Sequence, residues 1–422
     1  MGWSIMWSTM DYMIRSIFFF FIFSLYSAIS YAQKISAFEI DLPVSTNGIE
    51  VPVSIDLDKI TNVVDSSLSL LLVKGSERIP VPFQISGDKQ RSLHWIVKSD
   101  GDKKIIFEIQ KKKHFHFTTI DATKNDGELT IHNGEKNLLR YNYKTVYPPA
   151  GVDTAFKRSA FIHPLWTPHG QVLTRIQAPD HYHHYGIWNP WTHVLFEGDT
   201  VDFWNLKGRK GTVRFGKFVS VVSGPVYAEF TALHEHVVFK KNGKEKIALN
   251  ELQTVRVYTP EDNANYFLVD ITIDLNCASE SPFLILEYRY AGLGWRATEK
   301  WNKDNSEVLT SEGKSRKDAD GSTAKWFIVQ GTLDSDYGGA AMMSFTSNYN
   351  YPEPLRIWPE NSNNGEMFAM FAPTKNKDWL LKPGQTYTLK YRFVVFNGHL
   401  TKEKAESAWS YFAVPPNVTA KK

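Results

Sequence analysis

The chain has 422 residues, a formal net charge of +3, one cysteine and an aromatic content of 14% that includes 13 tryptophans. Nearly balanced charge with scattered lysines excludes the basic footprint of a nucleic-acid binder, and a lone Cys277 excludes an intramolecular disulfide. Stability must come from an apolar core, and the length predicts one large domain with a smaller accessory one.

Arg15 precedes the apolar run 17–29, and Ser30-Tyr31-Ala32 supplies the small residues of a cleavage site before Gln33. The pattern predicts a secretory signal peptide over 1–32 and a secreted or periplasmic protein. The run is shorter than the roughly 20 residues a bilayer span needs, so no membrane insertion is expected once the leader is removed.

From 33 to 122, short β-rich runs alternate with turns such as Asn47-Gly48 and Gly87-Asp88, which predicts a small β-sandwich domain. Only 56–65 looks like a short helix there. Longer strands follow, and 123–400 is expected to form a large antiparallel β supersandwich, galactose-mutarotase-like by analogy. The run QTYTLKYRFVVF puts Tyr387, Leu389, Tyr391 and Phe393 on one strand face. A helix over 401–414 and a tail to 422 close the all-β chain.

The stretch 158–205 is dense in polar and aromatic residues and poor in strands, as functional connections often are. It contains His163, His169, and the motif PDHYHHYGIWNPW at 179–191. Extended backbone would turn His181 and His183 to one side and His184 to the other. Three readings stand: a divalent metal held by His163, His181 and His183, metal-free acid/base chemistry, or a folded loop. No strong zinc signature is present, and no other cofactor is indicated. Trp188 and Trp191 are candidate platforms for a sugar face. A second cluster, Glu287, Arg289, Tyr290, Trp295 and Arg296, leaves a strand at the Gly292–Gly294 turn. Arg296 suits a substrate carboxylate such as a uronic acid, or an internal partner such as Glu299 or Glu312. His234 and His236 are expected to pack across strands, and 356–368, with Trp358, to form a rim loop.

The strings FIHPLWTPHGQVLT and PDHYHHYGIWNPWTHVLFEGDTVDFWN, with YRYAGLGWRAT, the segment 310–331 and LKPGQTYTLKYRFVVFNG, resemble the signature of bacterial "PmoA family" proteins over roughly 130–400. That resemblance implies a secreted β-sandwich protein of unsettled activity, often encoded among saccharide-degrading genes. It is not that of a membrane methane monooxygenase subunit, which needs spans this chain does not offer. The family's residues fall on His163, Asp180, His181, His183, His184 and Arg296. The chain departs at Tyr182 and Tyr185, where the family has Pro and Arg, and around Phe345–Asn348.

The expectation is a carbohydrate-active enzyme acting at a glycosidic linkage of an oligosaccharide, by elimination or hydrolysis. His181, His183, His184, Asp180 and Arg296 are its expected catalytic residues, with His183 and His184 moving protons. Trp188, Trp191, His163, Tyr290 and Glu287 are expected to touch the sugar, and Asp180 with Glu287 would be the carboxylate pair of a hydrolase. The alternative is a non-catalytic sugar-binding or scaffold protein.

Overall fold

Pro82 cuts the run IPVPFQI in two: Glu77–Val81 joins a five-stranded sheet and Phe83–Ser86 a three-stranded one. A proline has no N–H to give to a ladder, so the strand ends there and the chain changes layer. The computed structural model describes residues 33–421 apart from 43, 88–89, 100, 102, 112–114 and 259–263; the expected signal peptide and part of the turn at 87–88 lie outside the described residues. Phe38, Leu70 and Phe107 of the larger sheet meet Phe83, Leu93 and Trp95 of the smaller one in a closed core.

The helix expected over 56–65 is instead a set of turns and one 3-10 turn, Asp65–Ser67. Asp56 and Thr61 accept backbone N–H bonds from Asp58 and Val63, a local alternative to helix that the β-branched residues there do not oppose.

Two eight-stranded antiparallel sheets build the large domain. In the first, Leu355–Ile357, Phe368–Phe371, Gly294–Arg296, Ile187–Trp188 and Phe161–Leu165 lie side by side, followed by the strands from 120 to 142. In the second, four long strands from Gly211–Val222 to Tyr266–Cys277 continue through Thr386–Asn397. Their facing sides share one core, to which Trp295, Phe371, Phe230, Ile271 and Tyr391 contribute. Among the described residues no helix is long and apolar enough to cross a membrane.

The helix Lys402–Ala413 starts at Thr401, whose side chain caps Lys404 N–H. It lays Ala405, Ala408 and Phe412 over Val394 and Phe396 on the outer face of the second sheet. The tail beyond is not free-standing, because Val418–Lys421 pairs with Gln33–Asp41 and completes the N-terminal sheet. The small sandwich is thus assembled from both ends of the described chain.

Candidate functional site

Period-two alternation sets the ground plan. Trp295 points into the main core, whereas its neighbours Gly294 and Arg296 face outward; Ile187 points in and Trp188 out; Ala369 points in and Phe368 out. Registers Trp188 opposite Gly294 and Phe368 opposite Arg296 align these outward residues. They form a second apolar layer, Phe161, Tyr185, Trp188, Trp204, Trp358 and Phe368, on the face turned away from the second sheet. Gly294 makes room for it, since a Cβ there would lie 3.1 Å from Trp204 and 3.3 Å from Phe368.

A two-stranded hairpin, Ile176–Ala178 with His181–Tyr185, covers this layer. Gly186 ends it at φ 57°, where a Cβ would strike the Ile162 carbonyl at 2.2 Å, so only glycine can bring the strand back onto the sheet. The hairpin gathers the three imidazoles. Ring centroids are 4.7 Å apart for His181 and His184, 4.8 Å for His183 and His184, and 5.4 Å for His181 and His183. His184 is buried among Trp188, Trp204, Trp358 and Phe368, and its Nδ1 has no hydrogen-bond partner.

Arg296 stands under the hairpin turn, its side chain 1% exposed and its guanidinium 4.5 Å above the Trp358 ring. Nη2 donates to both carboxylate oxygens of Asp180 at 3.0 Å and also to Glu366. Glu366 takes a second cation, Arg175, at 3.1 Å, and Arg175 reaches Glu299 at 3.6 Å. Asp180 lies 2.8 Å from Nδ1 of His181. Burial would raise the Asp180 carboxyl, but the His181 hydrogen bond and the Arg296 charge outweigh it and hold the group below its ordinary value. An ionised carboxylate only accepts, so His181 Nδ1 is the donor, and in the neutral ring Nε2 is the remaining acceptor. The order Arg296, Asp180, His181 fixes an imidazole whose side chain is 27% exposed.

Several expectations change here. Burial first, then neighbouring His181 and Arg158, lowers His183 to about 3, and burial takes His184 well below the ordinary range. Both rings stay neutral at ordinary pH and are poor proton carriers. Trp188 and Trp191 are 1% and 0% exposed. Neither can be a sugar platform; Trp188 supports His184, and Trp191 packs in the main core against Trp379. Partly exposed rings beside the triplet come instead from Phe156 and Tyr182, 5.7 Å apart.

His163 stands apart from the triplet. Its Nδ1 lies 2.9 Å from Thr174 Oγ1, burial lowers it to about 4, and it lines a groove of about 510 Å³ with Arg175, Thr298, Glu299 and Lys300. Among the described residues no group of three or more His, Cys, Asp or Glu side chains is arranged to hold a metal ion, so His163, His181 and His183 do not form the trio that a metal would need. Arg296 gives Nη2 to carboxylates of its own chain, and its Nε and Nη1, which have no hydrogen-bond partner among the described residues, are buried rather than open to a substrate carboxylate. Glu287 is exposed, its N–H bonded to Asp378, and the carboxylate that meets Asp180 is Glu366. Tyr290 stands behind the site, its hydroxyl 2.8 Å from Trp358 Nε1 and from Arg356.

Arg175 and Glu366 do not stand out in the sequence, where Glu299 or Glu312 is the expected partner of Arg296; in the structure Arg296 pairs with Asp180 and Glu366, and Glu299 pairs with Arg175. Glu366 and Trp358 do lie in the polar segment 356–368 whose composition predicts a rim loop. His234 and His236 pack across strands as expected, onto a fully buried Glu251 at 3.0 and 2.9 Å, with the Tyr141 hydroxyl 2.7 Å from His234. The pair is a bridge inside the core and no part of the site.

Residues 128–410 match the model of a family of unknown function, DUF6807. The chain belongs to that family. No curated protein matches it in sequence. Among solved structures it is similar to an alpha-mannosidase from Enterococcus faecalis V583, with TM-score 0.44 and 9% identity over 93% of this chain and 47% of that one. A protein in the glycosyl hydrolase family 38 from Enterococcus faecalis gives TM-score 0.43 and 9% identity over 93% and 48%. A "putative aldose 1-epimerase" from Klebsiella pneumoniae subsp. pneumoniae MGH 78578 gives 0.32 and 12% over 89% and 94%. The chain thus spans about half the length of the mannosidase it matches.

Proposed function

We propose that this DUF6807 member is an exported carbohydrate-active enzyme that cleaves a glycosidic linkage, with His181 as the group that moves the proton. One observation carries the reading: the partly exposed His181 is hydrogen-bonded through Nδ1 to Asp180, which a buried Arg296 fixes in turn. A carboxylate on one ring nitrogen sets the tautomer, orients the ring and stabilises the imidazolium that forms when the other nitrogen takes a proton. Neutral His183 and His184 keep competing charge away from that nitrogen.

The saccharide class is supported by the surroundings. Carboxylate lone pairs at Asp180 and Glu366 flank Arg296 under the hairpin turn, and the same hairpin carries Tyr182 and His183, whose rings contact Phe156, a mixture that suits hydroxyls on one side of a pyranose and C–H groups on the other. The likeness of the histidine segment to PmoA family proteins supports the same class. Export is supported by the signal-peptide pattern of residues 1–32.

The test is incubation of the purified protein with a panel of plant and algal oligosaccharides, followed by product mass. Products that together gain one water mark hydrolysis, and products that gain none mark elimination. Binding of a panel member without any change of mass would replace the enzyme with a sugar-binding protein.

A further inference from the structure

Resting on the saccharide reading above, we infer that the sugar held against Asp180, Glu366 and His181 is uncharged, not a uronic acid. A uronate carboxylate needs an arginine or lysine with donors it can reach, and the cations here are either paired with carboxylates or buried. Arg296 gives Nη2 to Asp180 and Glu366, while Nε and Nη1 are buried in a side chain 1% exposed and lie over Trp358. Arg175 is paired with Glu366 and Glu299. Lys300, on the groove wall, bonds Gln171 at 3.1 Å and pairs with Asp334. Arg158, behind His183, is buried and feels Glu251 and Asp202. Arg316, which donates to the Glu366 and Trp358 carbonyls, feels Glu360.

Two guanidiniums, Arg175 and Arg296, therefore face three carboxylates, Asp180, Glu366 and Glu299, and the nearby imidazoles His183 and His184 add no charge. An incoming carboxylate would meet fixed negative charge while Arg175 and Arg296 are already paired with carboxylates and the free Nε and Nη1 of Arg296 are buried, and like charges at short range in a partly dry site repel strongly. Sugar hydroxyls meet the reverse situation, because each carboxylate keeps lone pairs beyond those its arginine occupies. Charge thus selects against acids while leaving neutral polyols a full set of acceptors.

The experiment titrates the full protein with matched methyl hexosides and methyl hexuronides in gluco, galacto and manno configuration, followed by ligand-observed NMR at low and high salt. At least one neutral glycoside is expected to bind tenfold or more tighter than its uronide, with the gap narrowing as salt screens the repulsion. Glu366→Gln, which removes one negative charge at nearly constant shape, is expected to narrow the same gap at low salt. A uronide that binds as well as or better than its neutral partner would overturn the inference and leave the saccharide reading standing. Absence of binding by every glycoside and every uronide would overturn both.

Discussion

Nη2 of Arg296 lies 3.0 Å from each carboxylate oxygen of Asp180, so a buried cation on one sheet strand fixes the turn of a hairpin that crosses above it. The same nitrogen binds Glu366, which the neighbouring strand Phe368–Phe371 carries into place two residues before its start. A sheet register and a hairpin turn thus converge on one guanidinium, and His181 inherits its position from both.

Asp180→Asn is expected to keep the fold and lose most of the activity. An amide can turn its NH₂ toward Nδ1 and favour the wrong tautomer, and it cannot stabilise an imidazolium. A fall in kcat of about 10²-fold or more is expected, with a small change in KM. Steady-state kinetics on the cleaved oligosaccharide check this; a KM effect alone would make Asp180 a binding group.

Arg296→Met should be structurally costly. Removing one partner of a buried ionic cluster leaves Asp180 and Glu366 facing each other, a loss of about 3 kcal/mol or more. Chemical denaturation measures it, and Arg296→Lys should recover only part, since one ammonium cannot both hold two carboxylates and cover the Trp358 ring.

Trp188→Ala separates support from platform. Trp188 is buried at 1% exposure between His184 and Trp204, so truncation should cost about 3–5 kcal/mol of stability. A variant as stable as the wild type that has lost only sugar affinity would contradict the packing role.

Stability should rise from acid pH and level off near neutral. Burial lowers His94 and His163 to about 4 and His183 to about 3. Their unfolded values lie near 6.5, so the unfolded chain binds more protons below that pH, and stability is intact above it and falls as pH drops toward 4 and 3. Glu353 acts in the opposite sense. Burial lifts it to about 7 despite donors from Ser344, Asn348 and Tyr391, so the folded carboxyl keeps a proton that the unfolded one releases above about 4.5. Its contribution is present below 4.5 and lost as pH rises through about 7, amounting to up to about 3 kcal/mol. Denaturation midpoints across pH 3–9 are expected to rise from pH 3 and level off near 7, and Glu353→Gln should steepen the rise between about 4.5 and 7 by removing the opposing contribution.

The strand architecture was legible because alternation survives in the sequence. Leu389, Tyr391 and Phe393 are all buried in the main core, as their spacing predicts, with Tyr387 packed partly against it. Val394 and Phe396 on the other face are buried too, because the C-terminal helix covers it, and period two alone cannot announce a cover. The histidine triplet, Asp180 and Arg296 stand out by residue type and come together. Glu366 and Arg175 do not, since only the register of Phe368 with Arg296 brings residue 366 within reach of 180. Burial of Trp188 and Trp191 was equally silent, as an indole looks the same in sequence under a hairpin or on a surface. Whether a histidine carries protons depends on solvation, and the burial that lowers His183 and His184 is not written in their residue type.

The most direct measurement is the kcat/KM of His181→Ala beside His183→Ala on whichever oligosaccharide the wild type cleaves. His181→Ala is expected to fall by about 10²- to 10⁴-fold with the folded structure retained, and His183→Ala by much less. A His181→Ala enzyme that cleaves within about twofold of the wild type, or a His183→Ala loss that exceeds it, would contradict the assignment of proton transfer to His181.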